Sequence, residues 1–147
     1  MNQVIEQTGI RKATSVDFAP IRKLPVQLTH PSAGDLLLKQ LRMLMQAPEF
    51  EIRVMEHNRH VAAFIALQYV PAADSPMRFL LIKYLAVDRF ALARGNAADM
   101  EAYAVDTATG AGCPAILVRL AMLSGTALKF YSERGYVREG SALIKRI

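Results

Sequence analysis

Leu85-Ala86-Val87-Asp88-Arg89-Phe90-Ala91-Leu92-Ala93-Arg94-Gly95-Asn96-Ala97 joins the end of an apolar run to a turn and then to the start of a new periodic segment. Upstream, Arg78–Val87 is nearly all apolar, which predicts a strand covered on both faces. Downstream, Asn96–Thr109 sets Ala97, Met100, Ala104 and Ala108 along one helical face, and Gly110-Ala111-Gly112 stops it. The first N–H groups of a helix have no partner inside it, and small residues such as Gly95 and Ala97 let an anion come close to the backbone. The turn Arg94-Gly95-Asn96-Ala97 is therefore a candidate nest for a pyrophosphate. So short a tripeptide is also an ordinary strand-to-helix turn in most chains, and its weight comes from its place between these elements.

Working outward, Ala115–Met122 reads as a buried strand and Ser124–Arg134 as a helix. Ser124 is a good N-cap, and Gly135 stands where a left-handed residue ends a helix. Tyr136–Ile147 is expected to form a final strand or hairpin turning near Gly140. Toward the N-terminus, Phe50–Val70 predicts a hairpin about the polar turn His57-Asn58-Arg59-His60, with Val61–Val70 as a central strand. Ser32–Gln46 carries Leu36, Leu37, Leu41, Leu44 and Met45 at helical spacing, and Pro48 closes it. Pro25–Gly34 and Pro71–Pro76 read as loops. Gly9–Ala13 alternates weakly as a strand, and Thr14-Ser15-Val16-Asp17 reads as a helix start in which Ser15 or Asp17 accepts a free backbone N–H, followed by a short helix to about Leu24 with Pro20 tolerated only in its first turn. The order β-α-α-β-β-β-α-β-α-β describes an α/β fold, a mixed sheet with helices on both faces, in one domain spanning residues 1–147.

Composition narrows the class. With 52% hydrophobic residues the chain can bury a core without staples. Its single cysteine, Cys113, excludes an internal disulfide framework and, with no charged-then-apolar leader, points to a cytoplasmic protein. No apolar run approaches the roughly 20 residues that span a bilayer. The net charge of +5 suits an anionic ligand as well as it suits simple solubility. Lys and Arg are dispersed rather than gathered, so nucleic acid is not expected as a partner. His57 and His60 flank a turn and Cys113 is isolated, so no metal is expected. Motifs of serine hydrolases and nucleotide hydrolases are absent.

In its apolar strand ending at Val87, then Arg94-Gly95-Asn96-Ala97, then Ser124-Gly125-Thr126-Ala127-Leu128-Lys129-Phe130-Tyr131-Ser132-Glu133-Arg134-Gly135-Tyr136, the chain resembles the GNAT superfamily of N-acetyltransferases. That resemblance implies the GNAT (acyl-CoA N-acyltransferase) fold, with a mixed, mostly antiparallel sheet flanked by helices. It implies acetyl-CoA as cosubstrate, an amine-bearing acceptor, and a homodimer as one arrangement seen in the family. The family pattern also assigns roles. Leu85, Ala86 and Val87 would offer backbone groups to the pantetheine amides and the thioester. Leu92, Arg94, Gly95, Asn96 and Ala97 would surround the pyrophosphate, and Ser124 and Ala127 would lie along the pantetheine arm. Tyr131 would protonate the departing thiolate, its ring facing a cleft while Phe130 packs inward. Leu92 stands where the family has Arg or Gln, and Ser124 where it often has Asn. Asp99 lies in the first helical turn, where it opposes a phosphate, and Arg94 and Arg89 are the cations nearest to hand. Asp88, Glu51, Glu56, His57 and His60 are candidates for the base.

These features predict acetyl transfer from acetyl-CoA to a primary amine. A different class, a degenerate acyl-CoA-binding or protein-interaction module that keeps the fold without turnover, is the alternative.

Overall fold

The structure, a computed structural model, describes residues 8–29, 34–73 and 75–147, the side chains of 34–36 apart. The chain opens with β1 (Thr8–Lys12), a 3-10 turn (Ser15–Asp17) running into α1 (Phe18–Arg22), a short β2 (Val26–Gln27) and α2 (Gly34–Leu44). There follow β3 (Phe50–His57), β4 (His60–Pro71), β5 (Arg78–Val87), α3 (Arg89–Ala93), α4 (Asn96–Gly110) and β6 (Ala115–Arg119). The chain ends with α5 (Gly125–Ser132), β7 (Val137–Glu139) and β8 (Ala142–Arg146). Ser32 and Ala33, where the second helix is expected to begin, and the place of Leu36 on its apolar face lie outside the described residues.

The strands form an 8-stranded sheet in the order β1-β3-β4-β5-β6-β8-β7, with β2 attached to β5 off that path. Every pairing is antiparallel except β5 with β6, which is parallel. The mixed, mostly antiparallel sheet with helices on both faces is thus as the sequence predicts. Alternation along the strands divides the core. Ile65, Leu67, Leu80, Ile82, Leu85 and Val87 pack with Ala97, Met100 and Ala104 of α4 and with Phe130 and Tyr131 of α5. Ile52, Val54, Phe64, Ala66, Tyr84 and Ala86 pack on the other face with Phe18 and Ile21 of α1 and Leu37 and Leu41 of α2.

Local chemistry places the turns. Asn58 and Arg59, both at positive φ, close the β3–β4 hairpin, the backbone such a two-residue loop needs. Gly135 (φ 88°) ends α5 in the left-handed region as predicted. At the start of α1, Asp17 is the residue of the helix-start cluster that accepts a backbone N–H, as expected: the Thr14 N–H donates to it (2.7 Å), and it also takes a bidentate pair from Arg11, both at 2.8 Å. The Arg11 guanidinium holds the Asp17 carboxyl below its ordinary range, against the opposing effect of burial.

The structure also revises the sequence reading. Pro25–Gly34 contains β2, a strand too short to show a period. Residues 89–93 form a helical turn, α3, where a simple connection was expected. The strand at Ala115 ends at Arg119; the Leu120 N–H still donates to the Ser141 carbonyl (2.9 Å), and Ala121–Met122 form a turn. No described helix is long and apolar enough to cross a membrane.

Candidate functional site

The site is built around the C-terminal half of β5. On one edge β5 pairs with β4 from Arg78 opposite Pro71 to Val87 opposite Ala63. The register slips between Ala66, opposite Tyr84, and Leu67, opposite Ile82, so Lys83 is the extra residue of a β-bulge. On the other edge β6 pairs only with Leu80 and Leu81. Beyond that point the parallel strands separate, and β2 closes the far end with Val26 opposite Val87 and Gln27 opposite Ala86. Ile82, Lys83 and Tyr84 form the stretch between these pairings.

This arrangement changes the reading of Leu85, Ala86 and Val87. All three are fully buried. The Leu28 N–H donates to the Leu85 carbonyl (2.8 Å), and the Leu85 N–H donates to the Thr29 hydroxyl (3.3 Å). The free strand edge implied for a pantetheine arm is therefore covered by the chain's own residues 26–29. A ligand amide reaches Leu85 only by displacing them. Leu28 and Thr29 are missed by sequence reading because a two-residue strand leaves no periodic signal.

Past Val87, Asp88 caps α3 by accepting from the Ala91 N–H. The Leu92, Arg94 and Gly95 N–H groups donate to carbonyls at Asp88, Phe90 and Leu92. The open nest expected from Leu92 onward is thereby reduced, because α3 consumes those donors internally. The opening of α4 remains. Gly95 caps it at φ 81°, a left-handed backbone that favours glycine, and a Cβ there would meet nothing within 4 Å. The N–H groups of Asn96, Ala97 and Ala98 lead into this open space at the positive end of a helix. Leu92 packs against the core instead of facing a ligand. Arg94 is exposed, and its Nε donates to the Asn96 side chain (3.1 Å), which in turn donates to Asp99 (3.1 Å). Asp99 is thus engaged by Asn96, and Arg94 lies across the helix start.

On the α4 face, Ser124 accepts from the Ala127 N–H (3.1 Å), so it is the N-cap of α5 in fact as well as in pattern. Ala127 is fully buried. Tyr131 is also fully buried, and Phe130 is only 7% exposed, so neither ring faces an open cleft, contrary to the expectation for Tyr131. The reason is the aromatic cluster: Tyr131 lies edge-on to both Phe130 and Tyr136, with ring centroids 5.1 Å away in each case. The Tyr131 hydroxyl nonetheless has no hydrogen-bond partner among the described residues. Burial, with a smaller effect from Glu101, pushes its pKa well above the ordinary phenol value. A buried hydroxyl left unpaired costs about 1–3 kcal/mol, and a ligand atom placed against it would remove that cost.

Of the base candidates, Asp88 is engaged as the α3 cap and the others sit elsewhere. Glu51 is held by Arg53 and by the Tyr103 hydroxyl (3.0 Å), and Glu56 takes Arg11 (2.6 Å). His57 bonds Thr8 and His60 is exposed. Two described cavities, about 430 and 500 Å³, are lined from β3 and α1 and contain neither Tyr131 nor Gly95. Among the described residues, no cluster of His, Cys, Asp or Glu could hold a metal ion.

No protein-family model and no curated protein matches the chain. Solved structures do. The aminoglycoside N-acetyltransferase AAC(6')-Iy in complex with CoA superposes with a TM-score of 0.74 at 16% identity, covering 100% of this chain and 95% of that one. The NatC complex bound to Gag peptide and CoA gives 0.72 at 17% identity over 96% of this chain and 99% of the matched chain. The ribosomal-protein-S18-alanine N-acetyltransferase from Escherichia coli gives 0.66 at 15% identity over 94% and 91%. The chain has the GNAT fold across nearly its whole length. At these identities the likeness is one of fold, and activity is argued from residues.

Proposed function

We propose that this protein transfers an acetyl group from acetyl-CoA to a primary amine. The observation that carries the reading is the left-handed Gly95 turn opening α4, which follows a strand that parts from its parallel neighbour after Leu81, set within the GNAT fold. In that place the Asn96–Ala98 N–H groups would hold a pyrophosphate, with Arg94 and Arg89 supplying positive charge from exposed positions. Ser124 and Ala127 would border the pantetheine arm, and Val87, Ala86 and Leu85 would meet it where β2 now lies. Two of the structural neighbours hold CoA, which supports that use of the fold.

Bound acetyl-CoA supplies an activated thioester carbonyl. The amine nitrogen would form a bond to that carbon and give up one proton to solvent water, the carbon–sulfur bond would break, and the electron pair would leave on sulfur. Tyr131 is the donor for this sulfur: its hydroxyl is protonated at neutral pH, and no group among the described residues accepts its proton in a hydrogen bond. Reaching the sulfur requires the β2 segment and the aromatic cluster to yield as the arm enters.

The test measures the melting temperature with and without acetyl-CoA, and free-thiol release when an amine library is added. A saturable rise of about 2–4 °C with thiol release supports the reading. A rise with no thiol release for any amine supports the non-catalytic acyl-CoA-binding alternative, and no rise at millimolar acetyl-CoA overturns both.

A further inference from the structure

Lys83 is the extra residue of the β5 bulge, in the stretch of β5 that neither β6 nor β2 covers. Its ammonium lies 5.6 Å from the ring centre of Tyr84. Tyr84 belongs to the core shared with α1 and α2, and its hydroxyl donates to Gln40 of α2. The Lys83 ammonium is therefore on the α2 face of the sheet, opposite α4. On β6, Ile116 and Val118 belong to the core on the α4 face, so alternation turns Leu117 and Arg119 to the α2 face. Lys83 and Arg119 thus stand on the same face, one on each strand, where the strands diverge.

Neither cation has an acidic partner among the described residues. This contrasts with their neighbours. Arg146 on β8 is paired with Glu139 (2.7 Å), Lys145 with Glu101 (2.8 Å), and Arg11 with Asp17 and Glu56. A half-buried ammonium with a second cation beside it and no counter-ion is an unfavourable arrangement. Burial first, and Arg119 second, lower the Lys83 pKa in accord with that placement. Cation–π contact with Tyr84 offsets only part of it.

We infer that Lys83 and Arg119 form an anion-binding subsite on the α2 face, which selects an acceptor amine carrying a carboxylate. The inference rests on the transferase reading for the word acceptor; the subsite itself is read from the bulge, the parting of the strands and the unpaired charges. The Gly95 turn and α4 pack from the opposite face, so a coenzyme held there leaves the α2 side of the opening to the second substrate. A carboxylate drawn to Lys83 would set its amine near the opening, and the subsite would act on binding of the acceptor rather than on the bond-breaking step.

The test titrates succinate and its neutral counterpart succinamide into protein saturated with CoA, so the coenzyme's own phosphates are accounted for, and follows the melting temperature. Succinate should produce a saturable rise of about 2 °C or more, and succinamide none. Lys83→Met should abolish the response, Arg119→Ala should weaken it, and Lys83→Arg should keep it. Equal shifts from succinate and succinamide, or an unchanged response in Lys83→Met, overturn the inference. If Lys83→Met does not fold, Lys83→Gln takes its place, and the comparison of the two compounds in the unaltered protein still decides. The failures are separable: a response to CoA without discrimination of succinate removes the subsite alone. Discrimination of succinate without any response to CoA removes the transferase reading and leaves the anion site standing.

Discussion

The two edges of β5 differ sharply along the same ten residues of strand. Toward β4 the ladder runs the full length of the strand, broken once by the bulge at Lys83. Toward β6 it holds Leu80 and Leu81, lapses at Ile82–Tyr84, and resumes with β2 at Ala86 and Val87. Side-chain composition cannot distinguish the two, because side chains project to the faces of a sheet and the edges are backbone. An apolar run therefore reports what lies above and below a strand and is silent about what lies beside it.

The largest expected effect tests whether the covered end of β5 is structural. Leu85 is fully buried where β2 and β4 both meet the strand, and Leu85→Ala should lower stability by about 2–5 kcal/mol in urea or thermal unfolding. A loss below about 1 kcal/mol would show that this end of the strand is loosely packed. Next comes Tyr131→Phe, which removes a buried hydroxyl that has no hydrogen-bond partner among the described residues. Turnover should fall by about 100-fold with acetyl-CoA affinity little changed, and thermal stability should hold or rise slightly, since an unsatisfied group has been deleted. A fall in stability with no fall in turnover would assign Tyr131 to the core alone.

Gly95→Ala addresses the turn just beyond the strand. A Cβ at φ 81° is strained despite the open space around it, so stability should fall by about 1–2 kcal/mol and the acetyl-CoA response should weaken with it. The smallest effect sharpens the comparison most. Thr29→Val removes the hydroxyl that accepts from Leu85, loosening β2 without changing its volume. Stability should drop by about 1 kcal/mol, and acetyl-CoA should bind up to about five-fold tighter if its arm replaces β2 on that edge. Unchanged affinity would mean that the arm takes another path.

Much of the fold is legible in the residues. Arg78–Val87 is continuous because both of its faces are buried, α4 follows from Ala97, Met100, Ala104 and Ala108, and Gly135 ends α5 because it is left-handed. The site is legible in part. Gly95 and Ser124 are readable from cap chemistry, whereas the burial of Tyr131 is not, because it depends on Tyr136 and Phe130 closing around the ring. The donors consumed by α3 escape notice for a similar reason: a helix of five residues shows no full apolar period.

Sequence by itself determined the order of the longer elements, the core faces of the long strands and of α4, and most of the turns, since those follow from side-chain periodicity and from backbone preferences local to a few residues. Tertiary structure alone decided that Leu28 and Thr29 cover Leu85, that β5 and β6 part after Leu81 and Leu117, and that Lys83 and Arg119 stand on one face with no acidic partner among the described residues. The reason is physical: each of these joins backbone or charge from segments distant along the chain, and no local pattern records which edge will find which partner.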